Sequence, residues 1–155
     1  MAATIANASD SDLPAILDLL RRSDLPPDGL AEHLATTVTA MENGRLVGCA
    51  AVELYGESAL LRSVAVDETL RGQGLGQALT AAALDLARAR GVRTAYLLTT
   101  TAGGYFPRLG FREITRDAVD PAVQQSVEFT TVCPGSAVVM RLDLRPQTSD
   151  ISADV

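Results

Sequence analysis

Apolar residues along this chain recur in two rhythms, and the switches between them mark out most of the elements. Leu13, Ile16, Leu17 and Leu20 fall at the three-and-four spacing of one helix face, which predicts a helix from residue 13 to about 22. Ser9-Asp10-Ser11-Asp12 supplies side chains to cap its first turn, and Pro14 sits where a missing N–H costs nothing. Leu25-Pro26-Pro27-Asp28-Gly29 interrupts the pattern, and a second short helix runs to about residue 36. Residues 4–8 and 37–42 read as strands, and Asn43-Gly44 is a two-residue hairpin signal into a strand over 45–54. Leu46 to Val52 is apolar at both parities, as in a strand covered on both faces. Tyr55-Gly56-Glu57-Ser58 reads as a tight loop into a strand over 59–66; with four loop residues, Arg62 falls diagonally across from Glu53 on one face, where the two can pair.

The next stretch carries the chemistry. The strand ending in Val64-Ala65-Val66 runs into a helix in which Leu75, Leu79, Ala82, Ala83 and Leu86 recur at helical spacing as far as Arg90. Between them lies Arg71-Gly72-Gln73-Gly74-Leu75-Gly76, a turn whose glycines bend freely and whose N–H groups no side chain screens. The first amides of a helix lack carbonyl partners and sit at the positive end of its dipole, so a diphosphate there gains hydrogen bonds and charge stabilisation together. A Walker loop is excluded, because it needs Gly-Lys-Ser/Thr and the chain has no lysine. A dinucleotide fingerprint is disfavoured: Gln77 stands where its third glycine belongs, and no acidic residue closes a following strand at the usual distance. Gly91 is a left-handed helix end, and residues 93–99 form a strand parallel to 59–66 through a right-handed crossover. A strand over 111–116, a helical turn over 121–125 and a last strand over 136–144 follow.

Composition narrows the picture. The chain's 155 residues suit one two-sided core. A net charge of −6 disfavours a nucleic-acid partner, and all 13 cations are arginine, so no lysine is present to act as base or Schiff-base former. No apolar run approaches the roughly 18 residues of a membrane span, and the start lacks the regions of a signal peptide; a cytoplasmic protein without membrane contact is expected. Cys49 and Cys133 lie far apart, which indicates neither a disulfide framework nor a metal site.

Arg71-Gly72-Gln73-Gly74-Leu75-Gly76 after a Val-Ala-Val strand resembles R/Q-x-x-G-x-G/A, the acetyl-CoA loop of the GNAT superfamily of N-acetyltransferases. Thr101-Ala102-Gly103-Gly104-Tyr105-Phe106-Pro107-Arg108-Leu109-Gly110-Phe111 resembles the second signature of that family, a short helix ending in Leu-Gly-Phe. The resemblance implies an α/β (α+β) GNAT fold over residues 1–145: a single mixed, largely antiparallel sheet with a splayed central parallel pair and helices on both faces. A polar, disordered tail over 146–155 would follow.

It also implies acetyl-CoA as cosubstrate, no metal and a small-molecule amine as acceptor, with a homodimer left open. Val64 and Val66 are then main-chain contacts of the pantetheine arm, and Arg71, Gly72, Gly74, Leu75, Gly76 and Phe106 complete the cofactor site. The N–H of Val66 faces the acetyl carbonyl oxygen. Many relatives place an acidic tyrosine four residues before the glycine; here Phe106 holds that position and Tyr105 stands one residue earlier, so Tyr105, Ser136, Cys133 or water remains open as proton donor. Thr99 stands where an asparagine is often found, and Ala102 keeps a small residue. Glu53 is the candidate base, or else simply the partner of Arg62; Arg62 in turn is a candidate clamp for an anionic substrate group. His33 is an ordinary surface or half-buried residue or, less simply, catalytic. Finally, Glu128-Phe129-x-x-x-Cys133-Pro134-x-Ser136-Ala137 resembles the arsenic-resistance branch of the N-acetyltransferases, which implies a glutamate-like acceptor and substrate contacts from Cys133 and Ser136. A CoA-binding module with little catalysis is the alternative reading.

Overall fold

The computed structural model describes residues 3–99, 105–126, 128–129 and 137–144. Strand β1 (Thr4–Asn7) leads through a 3-10 turn to helix α1 (Leu13–Arg22) and then to β2 (Thr37–Glu42), β3 (Arg45–Tyr55) and β4 (Ser58–Val66). Helix α2 (Leu75–Ala89) connects to β5 (Thr94–Thr99); α3 (Tyr105–Arg108), β6 (Arg112–Ile114) and β7 (Val138–Asp143) complete the chain. The seven strands form one mixed sheet in the order β1-β2-β3-β4-β5-β7-β6. The pair β4–β5 is parallel and the pairs β1–β2, β2–β3, β5–β7 and β6–β7 are antiparallel.

Two compact units divide the chain. The first comprises Met1–Glu53 and Leu61–Leu86. Its core joins Ile16, Leu19 and Leu20 of α1 to Leu30, to Leu46, Cys49 and Ala51 of β3, and to Ala65 of β4. Each leucine or isoleucine among them contributes about 1.5–3 kcal/mol on burial. The buried face of α1 is turned from the expected one: Leu19 goes fully inside, and Leu13 and Leu17 pack at the rim. Asn43 and Gly44, at φ +53° and +76°, make the expected hairpin with two left-handed residues. The β2–β3 register slips between Ala40 and Met41, leaving Val47 as an extra residue. Its carbonyl instead receives the N–H of Asp67 at 2.8 Å, which ties the end of β4 to the bulge.

The second short helix is a 3-10 segment, Leu30–Thr36, kinked at His33. The hydroxyls of Thr36 and Thr37 both donate to the His33 carbonyl, at 3.1 and 2.9 Å. Such local side-chain donors compete with the helical ladder.

The second unit comprises Leu54–Leu60 and Ala87–Val155. Among its described residues, Leu60, Tyr96, Val119, Val123 and Val139 form the core, with Tyr55, Leu98, Ile114 and Phe129 around it. The expected four-residue loop after β3 is shorter: both strands extend, and Gly56-Glu57 alone makes the turn, with Gly56 at φ +65°. The parallel ladder covers three pairs, Ser58 with Thr94 through Leu60 with Tyr96, whereas β5 continues against β7 as far as Thr99. Gly91 has the expected left-handed φ of +88°. Strand β6 is shorter than expected, because Thr115 ends it and a 3-10 turn, Arg116–Ala118, begins. Residues 145–155, which include the tail expected over 146–155, lie outside the described residues.

Candidate active site

Helix α2 is placed by a glycine. A Cβ on Gly48 would stand 2.7 Å from Leu79 Cδ1 and 3.3 Å from the Ala65 carbonyl, so the missing side chain is what lets α2 sit down on β3. The connection from β4 into α2 is held at its start by Asp67, a buried carboxylate. Its Oδ1 accepts from the Thr69 N–H at 3.0 Å and the Thr69 hydroxyl at 2.8 Å, and Oδ2 pairs with Arg45 at 3.2 Å and Arg22 at 3.7 Å. The Thr69 N–H holds its pKa below the ordinary carboxylate range, with the Thr69 hydroxyl next; burial opposes the shift, and the charges of Arg45 and Arg22 add to it.

Beyond Asp67 the loop opens. Arg71 donates from Nε to the Val66 carbonyl at 3.0 Å and is exposed. Gly72 and Gly74 have φ of +83° and +85° with nothing within 4 Å of an added Cβ, so conformation rather than space calls for glycine there. The Ala78 N–H donates to the Gly74 carbonyl at 3.1 Å and opens the α2 ladder. By that spacing the amides of Leu75, Gly76 and Gln77 have no ladder partner. Three such donors at the positive end of a 15-residue helix, four residues after the exposed Arg71, fit the diphosphate of a coenzyme A.

Glu53 and Arg62 do pair. Arg62 Nη1 meets Glu53 Oε2 at 2.8 Å, and the two side chains are 0% and 1% exposed. Arg62 also donates from Nε to the Ser63 hydroxyl at 2.9 Å and from Nη2 to the Pro26 carbonyl at 3.1 Å. His33, missed as a neighbour of this pair, brings Nε2 to 3.7 Å from Glu53 Oε2. No sequence pattern announces that contact, since it depends on the kink at His33 itself.

Ser63, within β4, has φ +60°, a strained conformation for serine. It is held from two sides: Arg62 Nε reaches its hydroxyl, and the Cys49 thiol donates to its carbonyl at 3.2 Å. Burial pushes the Cys49 thiol up to about 12, against smaller opposing effects of the Ala65 N–H and Arg62. It is therefore a protonated donor and no nucleophile. After this kink β4 alternates, with Val64 and Val66 half-buried and Ala65 buried.

In the second unit Tyr105 opens α3, and Phe106 makes an edge-to-face contact with Phe111 at 5.9 Å. Thr99 ends β5 and is half-buried. Ala102, Cys133 and Ser136 lie outside the described residues. Among the described residues no group of three or more His, Cys, Asp or Glu side chains is arranged to hold a metal ion. None of their helices is long and apolar enough to cross a membrane.

This fold and loop fit a domain that holds the diphosphate of a coenzyme A. Residues 33–113 match the acetyltransferase (GNAT) domain, and the chain belongs to that family. The uncharacterized N-acetyltransferase CT2212 of Chlorobaculum tepidum is 32% identical over 100 residues, 64% of this chain and 62% of that one, so the chain spans less than two thirds of that relative. An amino-acid acetyltransferase of Mycobacterium tuberculosis is 31% identical over 121 residues, 71% of this chain and 68% of its own. The crystal structure of Rv2747 from Mycobacterium tuberculosis in complex with CoA and NLQ matches with a TM-score of 0.78 at 26% identity, covering 92% of this chain and 99% of that one.

Proposed function

We propose that this protein acetylates the amine of a small acidic amino acid: glutamate, or a phosphinic or arsenical analogue of it. The observation that carries the transferase reading is the glycine turn on the N-terminus of α2, directly after β4. The acceptor class is supported by the Glu128 to Ala137 pattern and by similarity to amino-acid acetyltransferases.

Acetyl-CoA, when bound, supplies an acetyl group activated as a thioester. The amides of Leu75, Gly76 and Gln77, with Arg71 beside them, hold its diphosphate, while Gly72 and Gly74 keep the approach free of side chains. Main-chain groups of Val64 and Val66 receive the pantetheine arm, and the Val66 N–H stabilises the developing oxyanion. Strain at Ser63, fixed from two sides, sets the direction in which those groups point. Tyr105 is the proposed proton donor to the leaving sulfur, and Cys133 and Ser136 are proposed acceptor contacts. Glu53 acts either as the base or as a fixed counter-charge; its 2.8 Å bond to a fully buried arginine favours the second. The same burial weighs against Arg62 as the anion clamp, since each of its nitrogens already donates within the protein.

Incubation with acetyl-CoA and a panel containing glutamate, phosphinothricin, its arsenical analogue and neutral amino acids, read by release of free CoA thiol, tests the proposal. Turnover confined to the acidic amines is expected. Phe106 at the usual tyrosine position favours one second reading, a CoA-binding module; CoA binding without turnover on any amine would select it.

A further inference from the structure

Arg116 carries a buried donor that no hydrogen bond meets. Its Nη1 is buried and meets no acceptor, although the residue as a whole is only half-buried. The guanidinium lies over the ring of Phe129, 5.3 Å from its centroid. A cation–π platform orients the group and offsets part of its desolvation, but a ring face accepts no in-plane N–H bond. A buried charged donor without an acceptor costs more than almost any other polar defect and signals a missing partner.

Among the described residues none bonds that nitrogen: Glu128, the buried carboxylate next to Phe129, is engaged elsewhere. Asp120 is occupied by the Ser58 hydroxyl at 2.7 Å and the Ala122 N–H at 3.0 Å. Asp117, next in sequence, is exposed. Gln124 donates from Nε2 to the carbonyls of Val119, at 2.8 Å, and of Arg116 itself, at 3.4 Å. Those bonds pin the backbone on which the arginine stands. The result is a cation fixed at both ends: main chain by Gln124, planar head by Phe129.

We propose that Arg116 on Phe129 is a binding site for a small oxyanion, of the carboxylate, phosphinate or arsonate class. The planar fork, oriented by the ring, matches two oxygens of such a group, which would meet it from its half-exposed side. Two sources share this chemistry: the acidic group of the acceptor, which rests on the proposed function, or a free anion that acts as an effector.

The test separates them. Glutarate, which has no amine, is titrated by calorimetry against the wild type, Arg116→Gln and Arg116→Lys, with neutral glutaramide as control. Saturable glutarate binding to the wild type, weakened roughly ten-fold or more in Arg116→Gln and partly restored in Arg116→Lys, is expected, with no response to glutaramide. Equal glutarate affinity in wild type and Arg116→Gln, or no binding to the wild type, would overturn the site. Should Arg116→Gln fail to fold, Phe129→Leu keeps the cation and removes its platform; unchanged glutarate affinity there would count against the geometry. Inhibition competitive with the acidic amine assigns the anion to the acceptor, and non-competitive inhibition assigns it to an effector. If no amine is acetylated at all, the proposed function fails while glutarate binding still reports on Arg116.

Discussion

The ion pair Glu53–Arg62 is the residue on which the catalytic and structural readings diverge most. A carboxylate that worked as a free base would tolerate the loss of its arginine, whereas a counter-charge would not. Because both side chains are out of water, removing one leaves the other charged and uncompensated, a loss of about 3–5 kcal/mol. Glu53→Met is thus expected to lower the urea midpoint strongly. The double variant Glu53→Met/Arg62→Met should recover part of that loss, short of full recovery because the Ser63 hydroxyl and Pro26 carbonyl each lose a donor. Strictly additive losses would mean that the two do not act as a pair. Turnover in a folded Glu53→Gln protein speaks to the chemistry separately: a near-normal rate removes the base assignment. Cys49 gives a second expectation at this scale. With its thiol held near 12 and buried, alkylation by iodoacetamide mapped by mass spectrometry should spare Cys49 in the native protein and reach it only on unfolding. Sequence reasoning placed the Glu53–Arg62 pair, since strand parity and a hairpin loop suffice for that. It did not reach the left-handed Ser63 or the His33 contact, because both depend on hydrogen bonds from side chains remote in sequence or in the alternative backbone they stabilise.

At the scale of elements, β4, the loop and α2 behave as one device anchored at Gly48 and Asp67. Gly48→Ala forces Leu79 to move, and with it the helix whose first amides make the diphosphate site. A destabilisation of about 1–3 kcal/mol is expected, together with weaker CoA binding. Gly74→Ala meets nothing in space; its cost is the left-handed conformation, about 1–2 kcal/mol, and its larger effect should be on CoA affinity. Calorimetric titration with CoA checks both. Asp67 makes the anchor sensitive to acid. Its folded-state pKa lies below the ordinary value of 3.8, so its contribution to stability is complete above that pH and is lost as pH falls through the folded value. Asp67→Asn should therefore be less stable than the wild type at neutral pH, with the gap in urea midpoint closing below 3.8; a gap independent of pH would show that the carboxylate charge is not what anchors the loop. The glycine turn and the helix after it were readable because both signals are local. The Asp67 anchor was not read, although Asp67-Glu68-Thr69 carries the spacing of a side-chain-capped turn, because its other partners, Val47, Arg45 and Arg22, come from β3 and α1.

For the whole molecule, local pattern and long-range pairing part company. Strands β1 to β4 follow from parity and hairpin turns, and the parallel placing of β5 follows from the helix between it and β4. The insertion of β7 between β5 and β6 had no such signal: the ladder joins Thr94–Thr99 to Val138–Asp143 across the intervening chain, where no turn chemistry sets the register. The same separation predicts where a bound coenzyme is felt. If α2's first amides and the main chain of β4 hold it, hydrogen exchange should slow on adding CoA at residues 72–77 and at Val64 and Val66. The β6–β7 ladder, Arg112–Ile114 against residues 139–141, should keep its own rate, since it is bonded within the sheet and takes no part in that site. Protection that appears over β6 and β7 but not over 72–77 would move the coenzyme away from the glycine turn. It would leave the left-handed Gly72 and Gly74, with open space around both, without a chemical reason.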